Sequence, residues 1–453
     1  MNLPHYFLAD LPSEAVQSAT MISEACQALK RNRDQYLVGR TTESMIAVLC
    51  ALAEDWLQAD YPFRQLALNL GPRVTGFSAA TLARGLDSFF SQLTTDNFHL
   101  LLQQELGHPG RLDQFVSTIS DHKAQRTALS TGPRLLVHIA AGNLPSPTLM
   151  SLMLGLLVRS GQFVKCASNA TFLTRLFAHS LYHTEPKLGA CLEIAEWKGG
   201  RAELEQALFA EADCVTATGR DETLAEIRQQ LPANTRFLGY GHRVSFGYVT
   251  HELLSSHGAK KVAASAAADV TAWDQQGCLS PHLYYIEQGG ATTPEVFAEL
   301  LAAELAKAEA AEPRGEITVS EATAVASRRL LYDVRAAASQ DTRQWQSMGS
   351  TAWTVVYEAD PRFQLSCLNR FIYVKAVARL TDALHAAESV RGKISTVGLA
   401  ASGEKAERIA TELARWGVTR ICQVGQMQRP PITWRHDGRP SLGDLLTWTD
   451  WEP

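Results

Sequence analysis

The 453-residue sequence has eight cysteines but no CxxC pair, and no Cys/His cluster at zinc-binding spacing. A structural zinc module and a small disulfide scaffold are excluded, and no metal is expected. Most cysteines lie inside apolar strings such as "AVLCAL", "FVKCA" and "RICQV" and read as small buried hydrophobes of a reduced, cytoplasmic protein. There is no excess of positive charge. Lys plus Arg total 42 against 47 Asp plus Glu, which argues against a nucleic-acid partner. No long hydrophobic run exists either. The longest, Leu149 to Val158, is about half of the ~20 residues a membrane span requires. The start, "MNLPHYFLADLPSEA", lacks a basic stretch and meets Asp10 and Glu14 early, so no signal peptide is expected. Three nucleotide and metal motifs are missing: Walker A, HExxH, and GxGxxG, whose third glycine after Gly239 and Gly241 would fall on Val244. No internal repeat is visible.

What is present is a change of texture along the chain. Residues 1–130 carry apolar residues at three- and four-residue steps, as in "ESMIAVLCALAEDWL", each segment after a Ser/Thr-type start. They predict a helical N-terminal region. Residues 131–247 alternate short apolar strands with helices of about ten residues. The predicted strands are Arg134–Ala140, Gln162–Ala167, Ala190–Trp197, Ala212–Thr218 and Thr235–Gly241. This alternation reads as βαβ units with a parallel sheet. Residues 248–430 show a second mixed pattern, with an Ala-rich helix near Lys260–Trp273 and strand "HLYYIE", and predict a second α/β domain. Residues 431–453 hold three of the nine Trp and are too aromatic for disorder, so they should pack on the body or a neighbouring subunit.

Ligands of open parallel sheets bind at the carboxyl ends of the strands. Those loops hold Gly142-Asn143-Leu144-Pro145, Lys165 with Cys166 to Asn169, Thr218-Gly219-Arg220, and Gly239 to Arg243. Small residues, donors and cations gather on one rim, as a phosphate-bearing ligand requires, although ordinary βα-turn chemistry uses the same residue types. Cys278 stands apart from the other cysteines. It lies in Asp274-Gln275-Gln276-Gly277-Cys278-Leu279-Ser280-Pro281, a polar bend between helix and strand. A thiol there serves as a nucleophile if its pKa is lowered, or is a turn cysteine with no role. Asn143 could help form an oxyanion hole, or simply fill a Gly-Asn turn. Lys165 ends a buried strand, where a cation needs a partner: a phosphate, a ribose hydroxyl or a local carboxylate.

The ordered set "HIAAGNLPSP", "FVKCASNA", "VTATGRDE" and "DQQGCLSP" resembles the aldehyde dehydrogenase superfamily. Within it, "YGHRVSFG", "DQQGCLSPHLYYIE", "SCLNRFIYVKAV", "ISTVGLA" and "WRHDGRPSLGDLLTWTD" are most similar to the LuxC-type acyl-CoA reductases, from about Gly132 to the C-terminus. The resemblance implies an α/β, aldehyde dehydrogenase-like fold of two doubly wound domains with a helical N-terminal region. It implies NADPH-dependent reduction of a fatty acyl thioester to the aldehyde, with NADH as the alternative cofactor. Cys278 would form the acyl-enzyme, and Asn143 with the Cys278 amide would hold the oxyanion. Lys165 and Ser168 would contact the cofactor's ribose side, and Thr218 and Gly219 its pyrophosphate. His242 or His138 could supply a proton, though a structural role is the simpler use of each. Acyl-CoA or an acyl-carrier thioester would be the donor, acyl-transferase or synthetase proteins the partners, and a homo-oligomer the assembly.

Two departures from the superfamily matter. Aldehyde-oxidising relatives carry a water-activating Glu after the fifth strand, where this chain reads Phe237-Leu238-Gly239-Tyr240-Gly241. Its absence favours thioester reduction, because attack by water would waste the acyl-enzyme. The Glu that grips the nicotinamide ribose would fall near Ser366–Asn369, where there is no carboxylate, and Glu358 is a poor match. An oxidative aldehyde dehydrogenase and a non-catalytic acyl-binding scaffold are the alternative readings.

Overall fold

The computed structural model describes residues 3–453 except Ser13, Ala141, Asn143, Ser168 and Asn169. Five helices of 12 residues or more open the chain: Ala19–Tyr36, Thr42–Leu57, Pro62–Thr75, Ala79–Phe90 and Thr95–Leu106. Four of them start where a Ser or Thr hydroxyl (Ser18, Thr41, Ser78, Thr94) accepts a first-turn amide. In Ala79–Phe90, Leu82, Leu86, Phe89 and Phe90 form one buried face, each contributing roughly 1.5–3 kcal/mol by burial. Gly85 lies against the Trp273 indole. A Cβ there would stand 2.1 Å from a ring carbon, so only glycine admits this approach.

Strand β1 (Thr127–Thr131) precedes a five-stranded sheet of β2 (Leu135–Ile139), β3 (Gly161–Cys166), β4 (Leu192–Glu196), β5 (Cys214–Thr218) and β6 (Arg236–Tyr240). All neighbours are parallel and the order is β4-β3-β2-β5-β6. Helices Ser146–Leu157 and Thr171–Thr184 pack one face with the N-terminal helices from Thr42–Leu57 to Thr95–Leu106. Ala19–Tyr36, Ala202–Glu211 and Asp221–Gln230 cover the other. The strand order reverses between β2 and β5, so the loops after them part at the carboxyl edge and leave a crevice.

The second sheet has seven strands: β7 (Val244–Val249), β8 (Pro281–Glu287), β9 (Thr342–Gln346), β10 (Thr354–Glu358), β11 (Phe371–Val377), β12 (Ile394–Ala400) and β13 (Ile421–Gln423). Their order is β13-β12-β7-β8-β11-β10-β9, parallel except for edge strand β9. Strand β7 belongs wholly to this sheet, so the second α/β unit begins near residue 244 and a boundary at 247 would cut a central strand. The two glycines that weaken the strand pattern have a packing reason. A Cβ on Gly247 would meet the Tyr284 ring at 2.0 Å, and one on Gly398 would meet Met427 Sδ at 2.7 Å. Beyond residue 430, Ile432, Leu442, Leu445 and Leu446 are buried against the body. Strand β14 (Thr447–Trp451) then pairs antiparallel with β1. No described helix is long and apolar enough to cross a membrane.

Candidate active site

Only residues 241–243 separate β6 from β7, so the carboxyl edge of the first sheet faces the amino edge of the second. Cys278 lies three residues before β8, on that amino edge. A cavity of about 200 Å³ opens between the two. His138, Thr216, Thr218 and Tyr240 line it from the first sheet, and Trp273, Gly277, Cys278 and Leu279 from the second. Phe89, Leu144, Met150 and Leu154 form an apolar wall. The C-terminal segment closes it with Pro430, Pro431, Ile432, Trp434, His436 and Leu445. No Asp or Glu occurs among the described lining residues.

The loop that carries Cys278 is held by buried charge. Trp273, Asp274 and Gln275 all have left-handed backbone, with φ of 52°, 48° and 65°. Such conformations cost on the order of 1–3 kcal/mol each unless the surroundings impose them. Fully buried Arg370 donates from Nε to Asp274 Oδ1 at 2.9 Å and from Nη1 to Glu309 at 2.8 Å. Gln275 Nε2 donates to the carbonyls of Pro281 and Phe371 at 2.8 and 2.9 Å, and Gln276 Nε2 to Asn369 Oδ1 at 2.7 Å. Ser245 Oγ donates to the Cys278 carbonyl at 2.7 Å. Nothing in the sequence marks Arg370 for this task, since its contacts lie 58 to 96 residues away.

Of the eight cysteines, all free, Cys278 alone is exposed, and its sulfur opens on the cavity. Protein nevertheless surrounds it on most sides, and loss of bulk water pushes the thiol up to about 11. Asp437 pushes the same way, while the Cys278 amide, the Ser395 hydroxyl and Arg243 pull it back. The Ser395 hydroxyl is buried, with no hydrogen-bond partner of good geometry among the described residues. The resting thiol is therefore protonated at neutral pH and needs a base when it reacts.

The other expected site residues divide. Thr218 lines the cavity, and the Gly219 amide beside it donates to the Tyr240 carbonyl at 3.1 Å. Lys165 ends β3 buried, its ammonium 5.9 Å from the Trp197 ring centroid and in no ion pair among the described residues. Burial pushes that ammonium down, opposed by Glu205. Asn143 and Ser168 lie outside the described residues. His242 is exposed, its amide donating to Asp221, and it does not line the cavity. His138 lines it but both ring nitrogens are engaged, Nδ1 with Thr216 and Nε2 with Gln162, each at 2.8 Å. Burial lowers His138 to about 4, so it is neutral and structural. Glu358 is bound to Lys375, Tyr332 and Arg335 at the carboxyl end of β10, away from the cleft. His251, Glu252 and Glu287 gather at the opposite end of β8 from Cys278, around Lys405. His436 carried no signal of its own within "WRHDGRPSLGDL".

The model of the acyl-CoA reductase (LuxC) family matches residues 38–448. The chain belongs to that family. It is 22% identical over 417 residues to a long-chain acyl-protein thioester reductase of Aliivibrio fischeri, covering 90% of this chain and 82% of the relative. Against long-chain acyl-protein thioester reductase 2 of Photobacterium leiognathi it is 22% identical over 322 residues. That match covers 70% of this chain and 63% of the relative, less than two thirds of its length. Among solved structures, an aldehyde dehydrogenase from Brucella melitensis biovar abortus 2308 superposes with a TM-score of 0.68 at 14% identity. It covers 96% of this chain and 89% of its own. The Delta-pyrroline-5-carboxylate dehydrogenase from Mycobacterium tuberculosis gives 0.67 at 13%, covering 96% and 82%. The fold is that of the aldehyde dehydrogenases, as the resemblance implied.

The fold of this LuxC-family chain suggests a nicotinamide cofactor, and the first sheet fits one. A buried ammonium, Lys165, without a counter-ion among the described residues stands at its carboxyl edge. The neighbouring turns are uncrowded, since a Cβ on Gly142 or Gly219 would meet nothing closer than 3.6 Å. Lys165 can hold a ribose or its phosphate, and Thr218 and Gly219 can approach a pyrophosphate.

Proposed function

We propose that this protein reduces a fatty acyl thioester to the aldehyde with NADPH, through an acyl group carried on Cys278. The observation that supports the reading best is an accessible thiol on the floor of a carboxylate-free cavity, where the cofactor sheet meets the second sheet. The Cys278 sulfur attacks the thioester carbonyl and the donor thiol departs. The Cys278 amide, which has no acceptor beyond its own side chain among the described residues, faces the developing oxyanion. Asn143 is the second donor implied by the family resemblance. The wall of Phe89, Met150 and Leu154 receives the acyl chain and keeps water from the carbonyl. The bound nicotinamide supplies the hydride. With no lining carboxylate to activate water, the acyl-enzyme waits for reduction rather than hydrolysis, which favours this reading over aldehyde oxidation. The Lys165 ammonium, in no ion pair among the described residues, favours NADPH over NADH, because a 2′-phosphate would satisfy it. The donor is acyl-CoA or an acyl-carrier thioester, and acyl-transferase or synthetase proteins are the partners proposed to deliver it to a homo-oligomer.

The test uses labelled acyl-CoA without cofactor and reads acyl transfer to Cys278 by mass spectrometry. NADPH is then added and aldehyde measured. Label followed by aldehyde supports the reading. Label that NADPH does not release points to an acyl-binding scaffold, and acid formed from aldehyde with NAD points to an oxidative enzyme.

A further inference from the structure

Four titratable groups line the cavity among the described residues: His138, Tyr240, Cys278 and His436. His138 has no free ring nitrogen. Tyr240 is pushed up by burial. His436 makes no side-chain hydrogen bond to a described residue. Its ring lies on that of Tyr240, with centroids 4.6 Å apart and planes 14° apart, and against Trp434 at 4.7 Å. Guanidiniums end this stack on both sides, Arg439 over Tyr240 at 4.6 Å and Arg420 over Trp434 at 5.7 Å.

The neighbouring Asp437 is held in left-handed backbone at φ 52°. Both its carboxylate oxygens are buried without a hydrogen bond among the described residues. One lies 3.3 Å from Arg243 Nε, and the other 4.0 Å from His436 Nε2. Arg243 is two residues before Ser245, whose hydroxyl holds the Cys278 carbonyl. The imidazole and the thiol therefore line one cavity, and the Asp437 carboxylate and Arg243 guanidinium act on both.

We infer that His436 carries the proton for Cys278 in the acyl-transfer half of the reaction. This rests on Cys278 being the nucleophile. As the S–C bond to the acyl carbon forms, the thiol proton passes to a ring nitrogen of His436. As the C–S bond to the donor breaks, the departing thiolate takes that proton, so a free thiol leaves and no electrons change hands. Burial, with Arg439 and Arg243, holds His436 below its ordinary range and keeps it a base, against the opposing pull of Asp437. The same Asp437 carboxylate, short of partners, favours the imidazolium while it exists. The ring stack fixes the imidazole without using either nitrogen.

The test follows free CoA thiol released from acyl-CoA by the cofactor-free protein between pH 6 and 10, comparing wild type with His436→Gln. General-base catalysis of this kind is worth on the order of 10²-fold or more. The variant should be slowed that much at pH 7, rise about tenfold per pH unit, and approach wild type toward pH 10. Wild type should level off below pH 8. Wild-type release that climbs steadily through pH 9, or equal release by the two proteins at pH 7, would overturn the inference. The wild-type profile alone decides if the variant fails to fold. Iodoacetamide alkylation of Cys278 at pH 7 adds a readout free of any acyl donor. Wild type should react about tenfold faster than the variant, and equal rates would overturn the proton-carrier role even if acyl-CoA proved not to be the donor. Unequal alkylation without acyl transfer to wild-type Cys278 from either acyl-CoA or an acyl-carrier thioester would overturn the reductase reading and with it the acyl-transfer step, while sustaining His436 as the base for Cys278.

Discussion

The two sheet edges that meet at the cleft are built by opposite means. The carboxyl edge of the first sheet is turn backbone: small residues, open space around Gly142 and Gly219, and the buried Lys165 cation. The amino edge of the second is strained and over-determined, with three left-handed residues pinned by buried Arg370 and two glutamine amides. A rim that receives a diffusible dinucleotide can adjust to it. A nucleophile has to be held within about 0.5 Å of its working position, and that demands packing and hydrogen bonds from distant segments.

The sharpest way to break the comparison is Cys278→Ser, which should abolish acyl labelling and turnover while leaving the melting temperature near wild type. Next comes Arg370→Ala. It strands the buried Asp274 carboxylate and frees the left-handed turn, and should cost about 3–5 kcal/mol in urea unfolding. A smaller loss would mean that the glutamine contacts hold the loop unaided. On the other edge, Lys165→Met should leave stability almost unchanged and weaken NADPH binding roughly tenfold, about 1.4 kcal/mol, in a fluorescence titration, with NADH little affected. Equal weakening of both cofactors would remove the 2′-phosphate from the account.

The smallest effect concerns the segment that closes the cleft. Buried Asp269 accepts from the Gly425 and Met427 amides at 2.6 and 2.9 Å. Burial raises its carboxyl to about 6, above the ordinary carboxylate value, with the two amides pulling the other way. The folded state thus holds this proton more tightly than the unfolded chain. The stabilisation is complete below about pH 4 and lost as pH rises through 6. Asp269→Asn should lack that slope, so its melting temperature relative to wild type should improve between pH 4 and 7.

Much of the first sheet was legible because each strand is a short apolar run between turn residues and each helix repeats at 3.6 residues. All five of its strands form within two residues of their expected limits. Strands β7 and β12 were not legible. Gly247 and Gly398 break their apolar runs to admit Tyr284 and Met427, which are distant in sequence. Cys278 could be found because one cysteine in a polar, Gly/Pro-bounded bend contrasts with the others, most of which lie in apolar strings. His242 drew notice by standing next to the rim glycines, yet its side chain is exposed outside the cavity. His436 sits in a segment whose path past Tyr240 and Trp434 depends on where the tail packs.

Local pattern alone determined the two α/β halves, the helical opening and the outlying thiol, because periodicity and turn chemistry act over a few residues. Tertiary structure decided which groups surround that thiol. Arg370, Ser395 and His436 lie 92, 117 and 158 residues beyond Cys278 in the chain, and Tyr240 and Thr218 reach the same cavity from 38 and 60 residues before it. Packing brings them together, and no short-range rule of sequence encodes such contacts.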